Sequence, residues 1–212
     1  MLDNPFLAGA VTGLLQNAFA HPLDTVKTYV QNNPNERINF RKINYFNGIL
    51  FSSKISIITT SITFGVNYSQ KDDNNYKTGF IAGIFNSITN PLEIQKIQRQ
   101  MQIESRHILK LPLYKGFGAT FLRETTANSI YFGSYHDLKN KIGIFQAGGI
   151  AGVSCWFLTY PIDVIKSRVQ SGNISYLEAY KAGNIWRGLS YCLVRAYIGN
   201  AIGFSIYELI KK

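Results

Sequence analysis

The sequence predicts an all-α membrane protein in which six transmembrane helices, arranged as three pseudosymmetric two-helix repeats, surround a central cavity. Three observations lead to this fold class: a low content of charge, long segments almost without charge, and a proline-centred motif that occurs three times. Only 16% of the 212 residues are charged, against about 25% in an ordinary soluble protein. Mean hydropathy is close to zero, which fits helices that face lipid on one side and a wet cavity on the other.

The segments of low charge match the length of a membrane span. Residues 4–20 and 142–162 contain no formal charge, and residues 46–70 contain one, at Lys54. About 20 residues of helix cross a hydrocarbon core. Together with the repeat described next, these segments predict helices over residues 5–31, 47–70, 77–104, 114–139, 144–170 and 187–211.

The repeated motif centres on Pro22, Pro91 and Pro161, which are 69 and 70 residues apart. In each copy an acid follows the proline by two residues, a lysine by five and a glutamine by nine. This period divides the chain into repeats 1–73, 74–142 and 143–212. The repeated side chains are the acids Asp24, Glu93 and Asp163, the lysines Lys27, Lys96 and Lys166, and the glutamines Gln31, Gln100 and Gln170.

Glycines keep the same period. A Gly-x-x-x-Gly pair precedes each proline, which indicates close helix packing, and an aromatic-x-Gly turn follows it. The second copy is one residue shorter than the others between Gly83 and Pro91. The pairs are Gly9/Gly13, Gly79/Gly83 and Gly148/Gly152, and the turns are Phe46-Asn47-Gly48, Tyr114-Lys115-Gly116 and Trp186-Arg187-Gly188.

The acid and the lysine of each copy lie three residues apart and therefore share one helix face. In a ring of three helices the acid of one can reach the lysine of the next, which predicts a cyclic network. A solvated helix-end pair, worth about 0–1 kcal/mol, is the alternative for a single copy, but three copies in register within segments of low charge favour the ring. The predicted pairs are Asp24 with Lys96, Glu93 with Lys166 and Asp163 with Lys27, each braced by one of the glutamines.

These motifs resemble the mitochondrial carrier family over essentially the whole chain. The resemblance implies a six-helix transporter of the mitochondrial inner membrane with both termini towards the intermembrane space. It also implies that the ion-pair ring is the matrix gate of an alternating-access cycle. Expected partners are a small-molecule substrate and membrane lipid, with cardiolipin as a candidate, and the protein is expected to be monomeric. Two departures stand out: repeats of about 70 residues, against nearer 100 in the family, and Asn47 where a base is usual.

The family's second network, the cytoplasmic gate, is incompletely matched. Its positions in this chain are Asp72, His136, Lys139, Glu208 and Lys211. The usual pairing sets Ser69 against Lys139, His136 against Lys211, and Glu208 against Asp72. None of these is a conventional ion pair at neutral pH.

Charged residues in the middle of the even-numbered helices are the candidate substrate site, because a charge at mid-membrane is costly unless it has a function. Arg123 and Arg195 occupy equivalent positions of the second and third repeats, with Ser56 at the matching position of the first. Arg123 followed by Glu124, and the stretch containing Arg195 and Asn200, resemble the branch of the family that carries amino acids, ornithine and carnitine. Arginine suits a carboxylate, and Glu124 suits an ammonium group. Adjacent residues on a helix point about 100° apart, so Arg123 and Glu124 need not touch.

Other functions remain open at this point. A carrier of an anionic nucleotide or cofactor fits the net charge of +10, although Glu124 would repel phosphate. A non-transporting carrier-like membrane protein fits the weak cytoplasmic network. A soluble nucleic-acid-binding protein is disfavoured by the tripled motif, and Cys155 and Cys192 have no metal or redox spacing. We therefore expect no enzyme activity, no cofactor, no metal and no nucleic acid.

Overall fold

A computed structural model describes residues 5–33, 43–69, 75–101, 113–172 and 174–211, with the side chains of 5, 67, 204 and 207–211 excepted. All regular structure in these residues is helical. Within these described ranges, two stretches are long and apolar enough to cross a bilayer, Ile49–Val66 and Ile144–Ser171. The helices are α1 (Pro5–Asn32), α2 (Ile49–Ser69), α3 (Asn75–Asn86), α4 (Asn90–Gln100), α5 (Phe117–Ile142), α6 (Ile144–Ser171), α7 (Tyr176–Lys181) and α8 (Leu189–Lys211).

The long helices form a closed ring. Helix α1 packs on α2, α2 on both α3 and α4, α3 on α5, α5 on α6, α6 on α8, and α8 back on α1. Counting α3 and α4 as one position, the ring has six positions. In such a ring α3 and α4 stand opposite α8, and α2 stands opposite α6, so these helices face each other across the interior.

Glycines set the spacing within neighbouring helix pairs. A Cβ atom on Gly13 of α1 would lie 2.5 Å from the Ser56 carbonyl oxygen of α2. A Cβ atom on Gly83 of α3 would lie 2.6 Å from the Glu124 carbonyl oxygen of α5. Both distances are shorter than any real contact, so the backbones can approach this closely only because glycine has no side chain.

A hydrogen bond repeated three times joins the residue before each proline to the aromatic-x-Gly turn of the same copy. In every case the side chain donates to the carbonyl of the middle turn residue. Since a carbonyl only accepts, this bond also places the His21 proton on Nε2. His21 Nε2 lies 3.1 Å from the Asn47 oxygen, Asn90 Nδ2 lies 3.4 Å from the Lys115 oxygen, and the Tyr160 hydroxyl lies 2.7 Å from the Arg187 oxygen.

The glycine that ends each turn is required by its backbone. Gly48, Gly116 and Gly188 have φ angles of 77°, 75° and 87°, a left-handed conformation that disfavours side chains. Each turn leads directly into α2, α5 or α8. The turns and the bonds from the pre-proline residues therefore fix where the second helix of each copy begins.

One predicted helix, residues 77–104, is wrong as a single element. It is interrupted by a short 3₁₀ segment, Ser87–Thr89, between α3 and α4, whereas α1 and α6 continue through Pro22 and Pro161. The cause is the residue missing between Gly83 and Pro91. A missing residue in an α-helix would rotate everything after it by about 100° and shorten it by about 1.5 Å. Three 3₁₀ residues rise about 2.0 Å each and turn about 120° each. The rise from Gly83 to Pro91 is therefore about 13.5 Å, the same as for the nine α-helical residues of the other copies, and most of the lost rotation is recovered.

The third copy contains a short helix, α7, between α6 and the turn at Gly188. Ser175 and Glu178 form a reciprocal capping box at its start, and hydrogen bonds from Ser175 lower the pKa of the Glu178 carboxyl. Arg168 of α6 holds this segment, since its guanidinium donates to the carbonyls of Ala179 and Gly183, both at 2.8 Å. The corresponding segments of the other copies lie outside the described residues.

Inserting one alanine after Ile88 tests the role of the 3₁₀ segment. We expect α3 and α4 to merge into one continuous helix with Glu93 and Lys96 at the same height, so that the melting temperature of the detergent-purified protein stays the same or rises. The control is an alanine inserted after Leu158 in α6, which rotates Asp163 and Lys166 away from their partners. Breaking a buried pair costs about 3–5 kcal/mol, so the control should melt several degrees lower. Equal losses for the two insertions would contradict the compensation argument.

Candidate functional site

The ring of helices encloses a polar cavity of about 270 Å³. The predicted acids and lysines of the ring, Gln31 and the residues of the mid-helix site line this same cavity, whereas Gln100 and Gln170 are not among its lining residues. Hydroxyl and amide side chains of α1, α2 and α3 complete the wall; those used below are Asn17, Ser56, Thr63 and Asn86.

Three ion pairs close one end of the cavity, and they join the three helices that carry the proline motif. Lys27 Nζ of α1 lies 2.6 Å from Asp163 Oδ2 of α6. Lys166 Nζ of α6 lies 2.7 Å from Glu93 Oε2 of α4. Lys96 of α4 pairs with Asp24 of α1. The pairs are those that the motif spacing suggested. Their side chains are largely buried, so removal of either partner would leave the other as an uncompensated buried charge.

The glutamines need a correction, because only Gln31 braces a pair. Its Nε2 donates to Asp163 Oδ2 at 3.0 Å. Gln100 donates instead to the Thr25 hydroxyl at 3.3 Å, and Gln170 donates to Asn90 Oδ1 at 2.8 Å. Both glutamines lie one helical turn beyond their lysine, where they pack on the turns at Gly48 and Gly116. The polar groups in reach there belong to the turns' own hydrogen-bond networks and not to the ion pairs.

The α1–α6 junction carries additional bonds. Asn32 donates to the Ser167 hydroxyl at 2.8 Å, and the Ser171 hydroxyl donates back to Asn32. Arg168 Nε donates to the Gln31 carbonyl at 3.0 Å. Among the described residues, α1 and α6 are therefore held together more extensively than either is held to α4.

Arg123 and Glu124, for which the sequence left contact open, form an ion pair with each other. The long arginine side chain folds back along α5 to reach the carboxylate. Glu124 Oε2 also accepts from Asn128 Nδ2 at 3.3 Å. The pair is buried, and each charge has its partner within α5.

Both site arginines also reach the acids of the ring. Arg123 Nε lies 3.6 Å from Asp163 Oδ1, and Arg195 Nε lies 3.8 Å from Asp24 Oδ1. These distances allow electrostatic attraction but exceed a hydrogen bond, and neither Nε atom has a hydrogen-bond partner. Each of these two cavity-lining arginines thus has one N–H donor that is not engaged in a hydrogen bond.

Trp156 of α6, which was not predicted from the sequence, lies beside three cations that line the cavity. Its ring centroid is 4.1 Å from Lys27 Nζ, 4.4 Å from Arg123 Cζ and 4.7 Å from Arg195 Cζ. Cations at such distances are attracted to the ring face. Comparison of the three copies would have found this position. Trp156 lies four residues before the pre-proline Tyr160, and Asn17 and Asn86 lie at the same distance before His21 and Asn90.

The two neutral predicted residues, Ser56 and Asn200, also line the cavity. Asn200 Nδ2 donates to the Ala196 carbonyl at 2.8 Å, and its Oδ1 accepts from Gln16 Nε2 at 3.2 Å. Both amide atoms of Asn200 thus have partners, Nδ2 within α8 and Oδ1 on α1.

The predicted cytoplasmic network is only partly described. Asp72 and the side chains of Glu208 and Lys211 lie outside the described residues. His136 packs edge-on against Tyr135 with ring centroids 5.6 Å apart, and Lys139 Nζ lies 5.9 Å from the Tyr135 centroid. Within the described part of the chain, no group of His, Cys, Asp and Glu could hold a metal ion.

Comparison with known proteins gives a consistent result. Residues 141–212 match the family model described as mitochondrial carrier protein. The mitochondrial arginine transporter BAC2 of Arabidopsis thaliana is 29% identical over 62% of this chain, and the match spans 56% of that relative's length. The mitochondrial basic amino acids transporter of Rattus norvegicus is 26% identical over 97% of this chain, and the match spans 88% of that relative's length. Mitochondrial substrate carrier family protein S of Dictyostelium discoideum is 26% identical, and the match covers 97% of this chain and 95% of that relative.

Replacing Trp156 tests whether its ring organises the cations. Trp156→Leu should lower the stability of the detergent-purified protein by about 2 kcal/mol or more, because three cations lose a ring face. Trp156→Phe keeps a weaker ring face and should lose clearly less. The measurement is thermal unfolding of the two variants beside the wild type. Equal losses for leucine and phenylalanine would mean that the ring only fills volume.

Proposed function

We propose that this chain, which belongs to the mitochondrial carrier family and is an integral protein of the mitochondrial inner membrane, carries a basic or zwitterionic amino-acid-like solute by alternating access. The chain is not an enzyme. The observation that carries the substrate proposal is the buried Arg123–Glu124 pair, since it presents one cation and one anion side by side in the cavity wall.

Substrate binding at this pair is an exchange of ionic partners. The substrate carboxylate takes the place of Glu124 on Arg123, and the substrate ammonium takes the place of Arg123 on Glu124. Each buried charge keeps a partner of opposite sign throughout, which avoids the penalty of an isolated buried charge. A solute with only one of the two charges would leave either Arg123 or Glu124 unpaired.

Arg195 supplies the second donor for the carboxylate. Its Nε and that of Arg123 lack hydrogen-bond partners, and a guanidinium binds a carboxylate well through paired N–H groups. Drawing the two arginines to the substrate removes positive charge from Asp24 and Asp163. Binding at the centre of the cavity therefore weakens the ion-pair ring, which acts as the matrix gate.

The architecture behind this cycle is proposed as six transmembrane helices in three repeats, 1–73, 74–142 and 143–212, with Ser56 and Asn200 completing the site. The matrix gate consists of the three lysine–acid pairs braced by Gln31, with Gln100 and Gln170 supporting the turns. The cytoplasmic gate consists of Asp72, His136, Lys139, Glu208 and Lys211. Since its pairs are weaker than those of the ring, the empty carrier rests open to the cytoplasmic side. Lipid, including cardiolipin, surrounds a monomer.

The relatives support an amino-acid substrate, because the plant and rat proteins are named as transporters of arginine and of basic amino acids. An anionic nucleotide is the second candidate, favoured by the arginines and lysines of the cavity. The Glu124 carboxylate, fixed beside Arg123, argues against it by repelling phosphate.

Uptake into liposomes tests the substrate and the roles of its ligands. Wild-type protein should take up labelled L-arginine or L-lysine. Glu124→Gln should weaken every substrate with an α-ammonium group, and Arg195→Ala should weaken every substrate with a carboxylate. Loss of one partner of a desolvated charge pair costs about 2–5 kcal/mol. Uptake of nucleotides alone would contradict the assignment of an amino-acid substrate. Normal uptake by both variants would mean that the charges of Glu124 and Arg195 have only a structural role.

A further inference from the structure

We propose that Asn86 and Thr63 form a neutral subsite that binds an N–H donor at the far end of the substrate's side chain. This inference rests on the proposed function and extends it, because it assigns the group that recognises the part of the solute beyond its carboxylate and α-ammonium.

Asn86 has a polar atom that lacks a partner. Its side chain lines the cavity, and the residue is only 2% exposed. Nδ2 donates to the Thr63 hydroxyl at 2.8 Å, whereas Oδ1 is buried with no hydrogen-bond partner. Buried acceptors are nearly always paired, and an unpaired one at a cavity calls for an explanation such as a ligand.

Asn17 occupies the equivalent position of the first copy, four residues before the pre-proline residue, and shows what a structural asparagine looks like here. Its Nδ2 donates to the Ser53 hydroxyl at 3.0 Å, and its Oδ1 accepts from the Ser52 hydroxyl at 2.6 Å. Both amide atoms of Asn17 are used to join α1 to α2. The vacant acceptor on Asn86 is therefore a property of that site and not of the repeated position.

The ring places this acceptor opposite Arg195 and on the helix next to the one that carries Arg123 and Glu124. Asn86 is on α3, opposite α8 with Arg195, and Thr63 is on α2, opposite α6 with Trp156. Asn86 also follows by one helical turn the point where Gly83 packs on Glu124. A solute held by Arg195 and Glu124 would therefore extend its side chain towards Asn86.

The subsite recognises its ligand by hydrogen bonding, without an unpaired charge. The carboxylates among the described lining residues are Asp24, Glu93, Glu124 and Asp163, and each already contacts a lysine or arginine. A distal cation thus finds a neutral acceptor instead of a free carboxylate. A guanidinium and an uncharged ureido group should bind with similar strength, and a methyl group should be rejected because it leaves Oδ1 unpaired.

Competition against uptake of labelled L-arginine into liposomes tests this subsite. The competitors are unlabelled L-arginine, L-citrulline, which carries a neutral ureido group of the same shape, and L-norleucine, which has no distal donor. In wild-type protein we expect the inhibition constant of citrulline to lie within about tenfold of that of arginine, and norleucine to be weaker by about tenfold or more.

Variants of Asn86 should change this ranking. Asn86→Leu should weaken arginine and citrulline by about tenfold or more and leave norleucine unchanged, so that the three converge. Asn86→Asp should favour arginine over citrulline, because it adds a charge. Asn17→Leu is the matched control, in which the wild-type ranking should persist even if stability falls. Ratios between competitors within one variant are independent of how much protein folds.

Two outcomes overturn the subsite while the proposed function stands: arginine competes but citrulline does not, or both Asn86 variants keep the wild-type ranking. Absence of labelled L-arginine uptake by the wild-type protein, with uptake of nucleotides present, would defeat the proposed function and this inference with it.

Discussion

The three lysine–carboxylate pairs at the end of the cavity are the constraint on which the rest of the structure depends. A buried charge without a partner costs several kcal/mol, so α1, α4 and α6 must bring their acids and lysines to one height. The 3₁₀ segment Ser87–Thr89 serves this requirement, because it restores the rise lost with the missing residue. The pre-proline hydrogen bonds and the left-handed glycines then fix the second helix of each copy against this end.

The cavity and the ring act as one electrostatic unit. Arg123 and Arg195 lie between the Trp156 ring and the acids Asp163 and Asp24. Any anion that draws these guanidinium groups away changes the field at the ring. In the proposed cycle the substrate's own charges are exchanged for this internal pair, so that binding and gate opening would have a common physical origin.

The repeated motif was sufficient to predict the helical architecture and the acid–lysine partners, because proline and charge recur at a fixed period. The interruption at Ser87–Thr89 required geometry, since a missing residue can be absorbed in several ways. The partners of Gln100 and Gln170 depended on turns that the sequence does not position, and the Arg123–Glu124 contact depended on a side-chain rotamer. Trp156 and Asn86 share a repeat position with Asn17, so comparison of the copies position by position would have found them.

Thermal stabilisation of the detergent-purified protein by separated halves of a substrate tests the central claim of partner exchange most directly. L-lysine carries both the carboxylate and the ammonium groups, cadaverine only ammonium groups, and hexanoate only a carboxylate. Exchange with the Arg123–Glu124 pair requires both charges, so lysine should raise the melting temperature and neither half should do so at the same concentration. Stabilisation by hexanoate or cadaverine equal to that by lysine would contradict the exchange mechanism.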